Sequence, residues 1–267
     1  LPLAKLIGAQ RDSVRTYNTS GGFLHTPIEQ VKENAARSLE AGIGAIKLKV
    51  GQPDWREDLR RVESVREFLD PDVPLMVDAN QQWDRATAQR MGRVFEEFGL
   101  VWIEEPLDAY DVEGHAQLAR SLDTPIATGE MLSSVAEHLQ LIEAGAADVV
   151  QPDAPRIGGI TQFLKLATIA ESRQLWLAPH FAMEIHLHLA ATDGLEPWVE
   201  HFDWLDPLFG LAIALYILWS AYGIARDSFG VLMDQELPAD ISEAVDPASP
   251  NLGQYRTPAG GRLGSPV

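Results

Sequence analysis

The chain has 267 residues, 46% of them hydrophobic and 22% charged, and contains no cysteine. That length suits one large domain or two small ones and can bury a substantial core. A formal charge of −18 without a basic run makes nucleic acid and anionic lipid poor partners, and zero Cys excludes disulfide frameworks, thiolate zinc, iron–sulfur clusters and thiol nucleophiles.

Lys5 and Arg11 interrupt the opening apolar stretch, so nothing there reads as a signal peptide and a cytoplasmic setting is expected. Short apolar runs then follow in series at 14–19, 45–50, 75–78, 101–103, 125–128, 148–150, 175–178 and 197–199. Each is continuously apolar, as a strand buried on both faces requires. Helix signals lie between them. Thr26-Pro27 opens a pattern through Ile28, Val31, Ala35 and Leu39 that stops at Gly42, and Gln52-Pro53-Asp54 opens one through Leu59, Val62, Val65, Phe68 and Leu69. Asp84, Asp111 and Ser133-Ser134 head the next three. Strand and helix in alternation predict an α/β fold, a TIM-type (β/α)7β barrel over residues 13–205.

The character changes after Phe202. Residues 208–225 run for 18 positions without a charge, which meets the bare length of a membrane span. Two Gly, two Tyr, a Ser and the lack of a flanking basic cluster favour a buried helix instead. Residues 206–244 read as an atypical apolar segment, and the Pro/Gly-rich stretch 245–267 as a disordered tail.

Lys49, Asp78, Glu104, Glu130, Asp153, His180 and Glu200 each fall at or just past the end of successive runs, spaced by 20 to 29 residues. In a barrel all these ends converge on one mouth. Chance places an acid after one strand or two as a helix cap; seven in series point to a site. Asp78, Glu104 and Glu130 would repel one another unless a cation lies between them. All-oxygen ligands select Mg²⁺, with Mn²⁺ as a substitute. In Lys47-Leu48-Lys49 the alternation of a strand points both lysines inward, where neighbouring cations depress each other's pKa and prepare a base. Asp153 and His180 end neighbouring strands, so the carboxylate can fix the tautomer of the imidazole. The other histidines, His25, His115, His138, His186, His188 and His201, have no such partner in sequence, and His186 and His188 read as packing. Glu105 would point to the other side of its strand end as an outer or surface acid, whereas Glu200 could donate a hydrogen bond if protonated. A lysine on one side and an Asp-His pair on the other suit proton abstraction beside a carboxylate, with the metal stabilising the enediolate.

These residues, in this order, resemble the mandelate racemase subgroup of the enolase superfamily over residues 1 to about 209. The stretches GAIKLKVGQPD, PLMVDANQQWDR, WIEEPLDAYDVEGHAQLA, TPIATGEML, VQPDAPRIGGIT, LAPHFAMEIHLHLA and LEPWVEHFDWLDPLF are similar to aldarate dehydratases of the talarate/galactarate type. The resemblance implies Asp78, Glu104 and Glu130 as Mg²⁺ ligands, Lys49 as one acid/base, and His180 with Asp153 as the other. It implies Lys47, Asn80 and Glu200 as contacts of the substrate carboxylate, Glu200 donating to the enediolate. An acid-sugar substrate, a homo-oligomer and no membrane partner are expected with it. It also implies an N-terminal capping domain, of which residues 1–12 would be the end. Two alternatives stay open: an epimerase or racemase on the same site, and an inactive truncated remnant.

Overall fold

The computed structural model describes residues 1–19 and 22–202, together with Leu215, Trp219 and Tyr222. The chain divides into two units, Leu1–Trp204 and Leu205–Val267. In the second unit the three described residues are helical and exposed. Apart from them, the apolar stretch 208–225, the segment 206–244 and the tail 245–267 lie outside the described residues. Among the described residues no helix is long and apolar enough to cross a membrane.

Eight parallel strands build the first unit: β1 (Arg15–Asn18), β2 (Ala45–Lys49), β3 (Leu75–Asp78), β4 (Ile103–Glu104), β5 (Ile126–Thr128), β6 (Val149–Val150), β7 (Trp176–Leu177) and β8 (Trp198–His201). They pair in the order β7-β6-β5-β4-β3-β2-β1-β8. Because β1 pairs with β2 on one side and β8 on the other, the sheet curls into a nearly closed barrel, the expected fold. Around it run α2 (Ile28–Glu40), α3 (Trp55–Phe68), α4 (Arg85–Phe95), α5 (Val112–Ser121), α6 (Val135–Glu143), α7 (Ile160–Ser172) and α8 (Met183–Ala190), with a short α1 (Leu3–Leu6) ahead of β1. Asp54, Asp84, Asp111 and Ser134 start their helices as the sequence indicates, each side chain accepting a backbone N–H of the first turn.

Alternation along the strands sorts the side chains into two layers. Outward residues such as Leu48, Val77 and Ile103 pack under α2 to α4 with Val62, Met91 and Phe95. Val150 and Leu177 pack with Phe163, Leu166 and Leu189 on the opposite side. Inward residues Tyr17, Met76, Trp102, Val149 and Trp198 fill the barrel interior. Trp102 meets Tyr17 and Trp198 edge-on, at centroid separations of 5.3 and 6.1 Å. The site therefore stands on a packed floor, not on a pore.

Loops at the mouth are pinned individually. The buried Asp58 carboxylate of α3 accepts the N–H groups of Gly51 at 2.9 Å and Gln52 at 3.0 Å, fixing the chain just after Lys49. Gly51 has φ +111°, and a Cβ there would meet the Gln82 side chain at 2.8 Å, so only glycine fits.

His115 in α5 and His138 in α6 are buried, each with Nδ1 2.9 Å from the carbonyl of its own helix cap, Asp111 or Ser134. Burial lowers the pKa of both below the ordinary histidine value of 6.5. Both rings are neutral in the folded and unfolded chain at higher pH, and below that value the unfolded chain takes up protons that the folded chain refuses. The stability difference between the wild type and a His115→Gln/His138→Gln variant should therefore shrink as pH falls from roughly 7.5 to 5.5, by at most about 1.4 kcal/mol per pH unit per ring. Urea midpoints across that range check this; a flat difference would mean that the rings take up protons in the folded state too.

Candidate functional site

The ends of β2, β3 and β4 lie in register, Lys49 beside Asp78 and Asp78 beside Glu104. Lys47, one turn of the pleat below Lys49, is 1% exposed and faces three carboxylates: Glu104 at 2.6 Å, Glu200 at 2.9 Å and Asp78 at 3.5 Å. Its ammonium also lies 5.1 Å from the centre of the Tyr17 ring. Burial alone would lower its pKa, but the charges of Glu104 and Glu200 outweigh this and raise it well above the ordinary lysine value. The mutual depression expected of the two lysines is thus absent at Lys47, because three acids surround it. These carboxylates favour the charged form of Lys47. Lys49, above it and partly open to the mouth, pairs among the described residues with Asp78.

The carboxylates divide the charge unequally. Burial pushes Asp78 up, and Lys49 and Lys47 bring it down further still, well below the usual range. Burial and the neighbouring Asp78 charge push Glu104 up to about 8, even with Lys47 at hand and the Trp102 indole N–H donating to it at 3.0 Å. Burial likewise raises Glu130, against the pull of His180. Glu200 ends low, at about 2: burial raises it, but Lys47 and His180 hold it ionised. It accepts from the Thr19 hydroxyl at 2.6 Å and from the Phe181 N–H at 2.9 Å. In these surroundings Lys47 and His180 favour the ionised form of Glu200, which accepts rather than donates. A carboxylate flanked by a buried ammonium and an imidazole accepts.

Across the barrel, His180 Nδ1 lies 3.1 Å from Asp153 Oδ2, and His180 Nε2 lies 3.6 Å from Glu130. Burial lowers the His180 pKa, yet the Asp153 hydrogen bond and the Glu130 charge prevail and raise it. Asp153 moves the opposite way: burial is outweighed by His180 and by the Arg156 N–H, which donates to its other oxygen at 3.1 Å. The aspartate therefore stays charged and fixes the imidazole by its Nδ1.

Asn80 is exposed at the mouth, its backbone N–H donating to Asp78 at 2.8 Å. Asn80, Gln81 and Glu105 all have positive φ, at 42°, 64° and 37°, a cluster of unfavourable backbone at the ends of β3 and β4. Glu105 corrects the surface alternative: it is fully buried, receives the Gln81 amide at 2.9 Å, and is raised to about 8 by burial and the Glu130 charge. Gln81 also accepts the Ala109 N–H at 3.1 Å, joining the two loops. Sequence reasoning missed Gln81 and Tyr17, since a glutamine in a loop and a tyrosine in a strand carry no signal of what they face. The inward parity of Tyr17 relative to Lys47 could have found the latter.

The site thus brings Lys47, Asp78, Glu104 and Glu200 into contact and sets Lys49 on Asp78. Glu130 meets the dyad rather than the other two predicted ligands. Among the described residues, no three histidine, aspartate or glutamate side chains are arranged as they stand to hold an ion. The donor set nevertheless suits a small hard cation. It is all oxygen, and burial leaves Glu104 and Glu130 hard to ionise without added positive charge.

Known proteins resemble this chain in sequence and in fold. The L-talarate/galactarate dehydratase of Salmonella typhimurium is 67% identical over 215 residues, which are 80% of this chain and 54% of that protein. A cycloisomerase of 3,6-anhydro-alpha-L-galactonate from Streptomyces coelicolor is 39% identical over 192 residues, 72% of this chain and 53% of that one. The chain thus spans about half the length of the curated relatives it matches. The crystal structure of the Salmonella dehydratase liganded with Mg and L-lyxarohydroxamate superposes with a TM-score of 0.76 at 68% identity, over 78% of this chain and 53% of that one. That of L-talarate dehydratase from Polaromonas sp. JS666 complexed with Mg and L-glucarate gives 0.75 at 70% identity, over 77% and 57%. The family model of the enolase C-terminal domain matches residues 30–218, most of the chain and the whole barrel beyond β1. With the family match over most of the chain and the parallel barrel in agreement, the chain belongs to the enolase C-terminal domain-like family.

Proposed function

We propose that this barrel carries the chemistry of a Mg²⁺-dependent aldarate dehydratase, acting on a six-carbon diacid such as L-talarate or galactarate. The observation that carries this reading is the placement of Lys49 at the end of β2 and the Asp153–His180 dyad at the ends of β6 and β7, on opposite sides of one mouth. Asp78, Glu104 and Glu130 would hold the cation. When bound, it supplies electrostatic stabilisation of the charge that develops on the substrate carboxylate.

The chain's own groups do the rest. Lys49 takes the proton α to the carboxylate. The C–H electron pair is first taken up by the substrate carboxylate; it then moves into a carbon–carbon double bond as the β-carbon–oxygen bond breaks, and the His180 imidazolium gives its Nε2 proton to the departing hydroxyl, which leaves as water. The resulting enol becomes the 2-keto acid. Asp153 keeps the imidazole upright and favours its charged form before transfer. Lys47 and Glu200 set the charge beneath the substrate, and Asn80 stands at the mouth to meet it. A cytoplasmic setting and a homo-oligomer belong to the same proposal.

Incubation with galactarate or L-talarate, with 2-keto acid read by semicarbazide, tests it; so does exchange of the α-proton in deuterated solvent with and without EDTA. EDTA-sensitive formation of keto acid is expected. Exchange without keto acid would make the chain an epimerase, and neither would leave it without activity. Glu104→Gln removes a charged ligand and should weaken Mg²⁺ binding at least about 10-fold in calorimetric titration. Unchanged affinity would take Glu104 out of the ligand set.

A further inference from the structure

Loops after β6 and β7 meet on an imidazole that the reaction scheme does not use. His186, in the first turn of α8, is fully buried, and its ring lies against Phe163 of α7 with centroids 5.6 Å apart. Its Nε2 is 3.1 Å from the backbone N–H of Ala154, and its Nδ1 is 3.3 Å from the carbonyl of Phe181. An amide N–H only donates and a carbonyl only accepts, so the ring is neutral, with its proton on Nδ1. Burial acts in the same sense, lowering the His186 pKa.

The two partners are telling. Ala154 follows Asp153 and Phe181 follows His180, so one ring spans the residues adjacent to both members of the dyad. Phe181 has φ +59°, a conformation that bulky residues avoid. It is held there from both ends, its N–H donating to Glu200 at 2.9 Å and its carbonyl accepting from His186. A left-handed residue directly after His180 sets how the chain leaves that position, and the Phe181 ring lies stacked against the His180 imidazole with centroids 5.8 Å apart. The Ala154 amide bond fixes the start of the loop that carries Asp153.

We propose that His186 is a positioning residue: a neutral imidazole crosslink between the β6 and β7 loops that sets the Asp153–His180 contact. The proposal rests on the dyad as read under the proposed function. In the ¹⁵N-labelled 267-residue chain, His186 should show a protonated Nδ1 and a bare Nε2 at neutral pH, and the His180 Nδ1 proton should be shielded from solvent. His186→Phe keeps a ring against Phe163 but removes both hydrogen bonds. It should speed exchange of the His180 Nδ1 proton at least about 10-fold and lower kcat on an aldarate about 10-fold or more, with KM within about twofold. His186→Gln, which can still accept from Ala154, should recover part of both. A charged His186, a proton on its Nε2, or unchanged His180 exchange in His186→Phe overturns the proposal. If His186→Phe does not fold, the tautomer in the wild type decides alone. If the wild type turns over no acid sugar, the dehydratase reading falls, while the exchange comparison still decides the role of His186.

Discussion

Lys49→Met should lower dehydration by roughly 10²- to 10⁴-fold, the range of a positioned general base, and abolish exchange of the substrate α-proton with solvent. Methionine nearly matches the length of lysine and carries no charge. Lys49 lies at the end of a strand whose outward residues are packed in the core, and Asp58 separately holds the loop that follows it. The fold should therefore survive the change. Lys47 continues to neutralise Asp78 from 3.5 Å, so Mg²⁺ affinity should not weaken. The α-proton signal in deuterated solvent, followed by NMR beside keto-acid formation, checks both points. Retention of exchange in Lys49→Met would assign proton abstraction to the opposite side of the mouth.

His180→Asn should also cost dehydration roughly 10²- to 10⁴-fold, while leaving α-proton exchange in place. The asymmetry follows from charge. Asp153, Glu130 and Glu200 outweigh burial and raise His180, which favours the proposed role as the acid. Removing that acid stalls departure of the hydroxyl after the proton has left, and the proton can then return from Lys49. Asparagine retains a polar atom near the Nδ1 position, so Asp153 keeps a partner and the loop should hold its place. Loss of exchange together with dehydration in His180→Asn would make the imidazole the abstracting base and reverse the two roles.

The two variants divide the reaction at the β-carbon, which is where a dehydratase and an epimerase part. An epimerase needs a proton-carrying group on each face of one carbon; a dehydratase needs a base at that carbon and an acid for the leaving group at the next.

Much of the barrel was legible residue by residue. Strands buried on both faces announce themselves as apolar runs, and a helix cap such as Asp54, Asp84 or Asp111 marks where each run has turned the corner. Polar residues at the ends of those runs could be assigned to one mouth because a parallel barrel gathers all its carboxyl ends there. The parity of Lys47 and Lys49 placed both inside, since side chains repeat every second residue along a strand.

What the tertiary structure alone decided is how the charge is shared and who holds the loops. Whether Lys47 is a base or a fixed cation, whether Glu200 donates or accepts, and whether Glu105 lies at the surface depend on ångström distances between residues tens to more than a hundred positions apart. Local pattern has no access to these, because Coulomb energy and desolvation follow separation in space rather than along the chain. His186 is the clearest case: a helix position that pattern marks as packing becomes, once folded, a hydrogen-bonded bridge between two loops. Periodicity determined where the chain runs, and three-dimensional proximity determined what each ionisable group is.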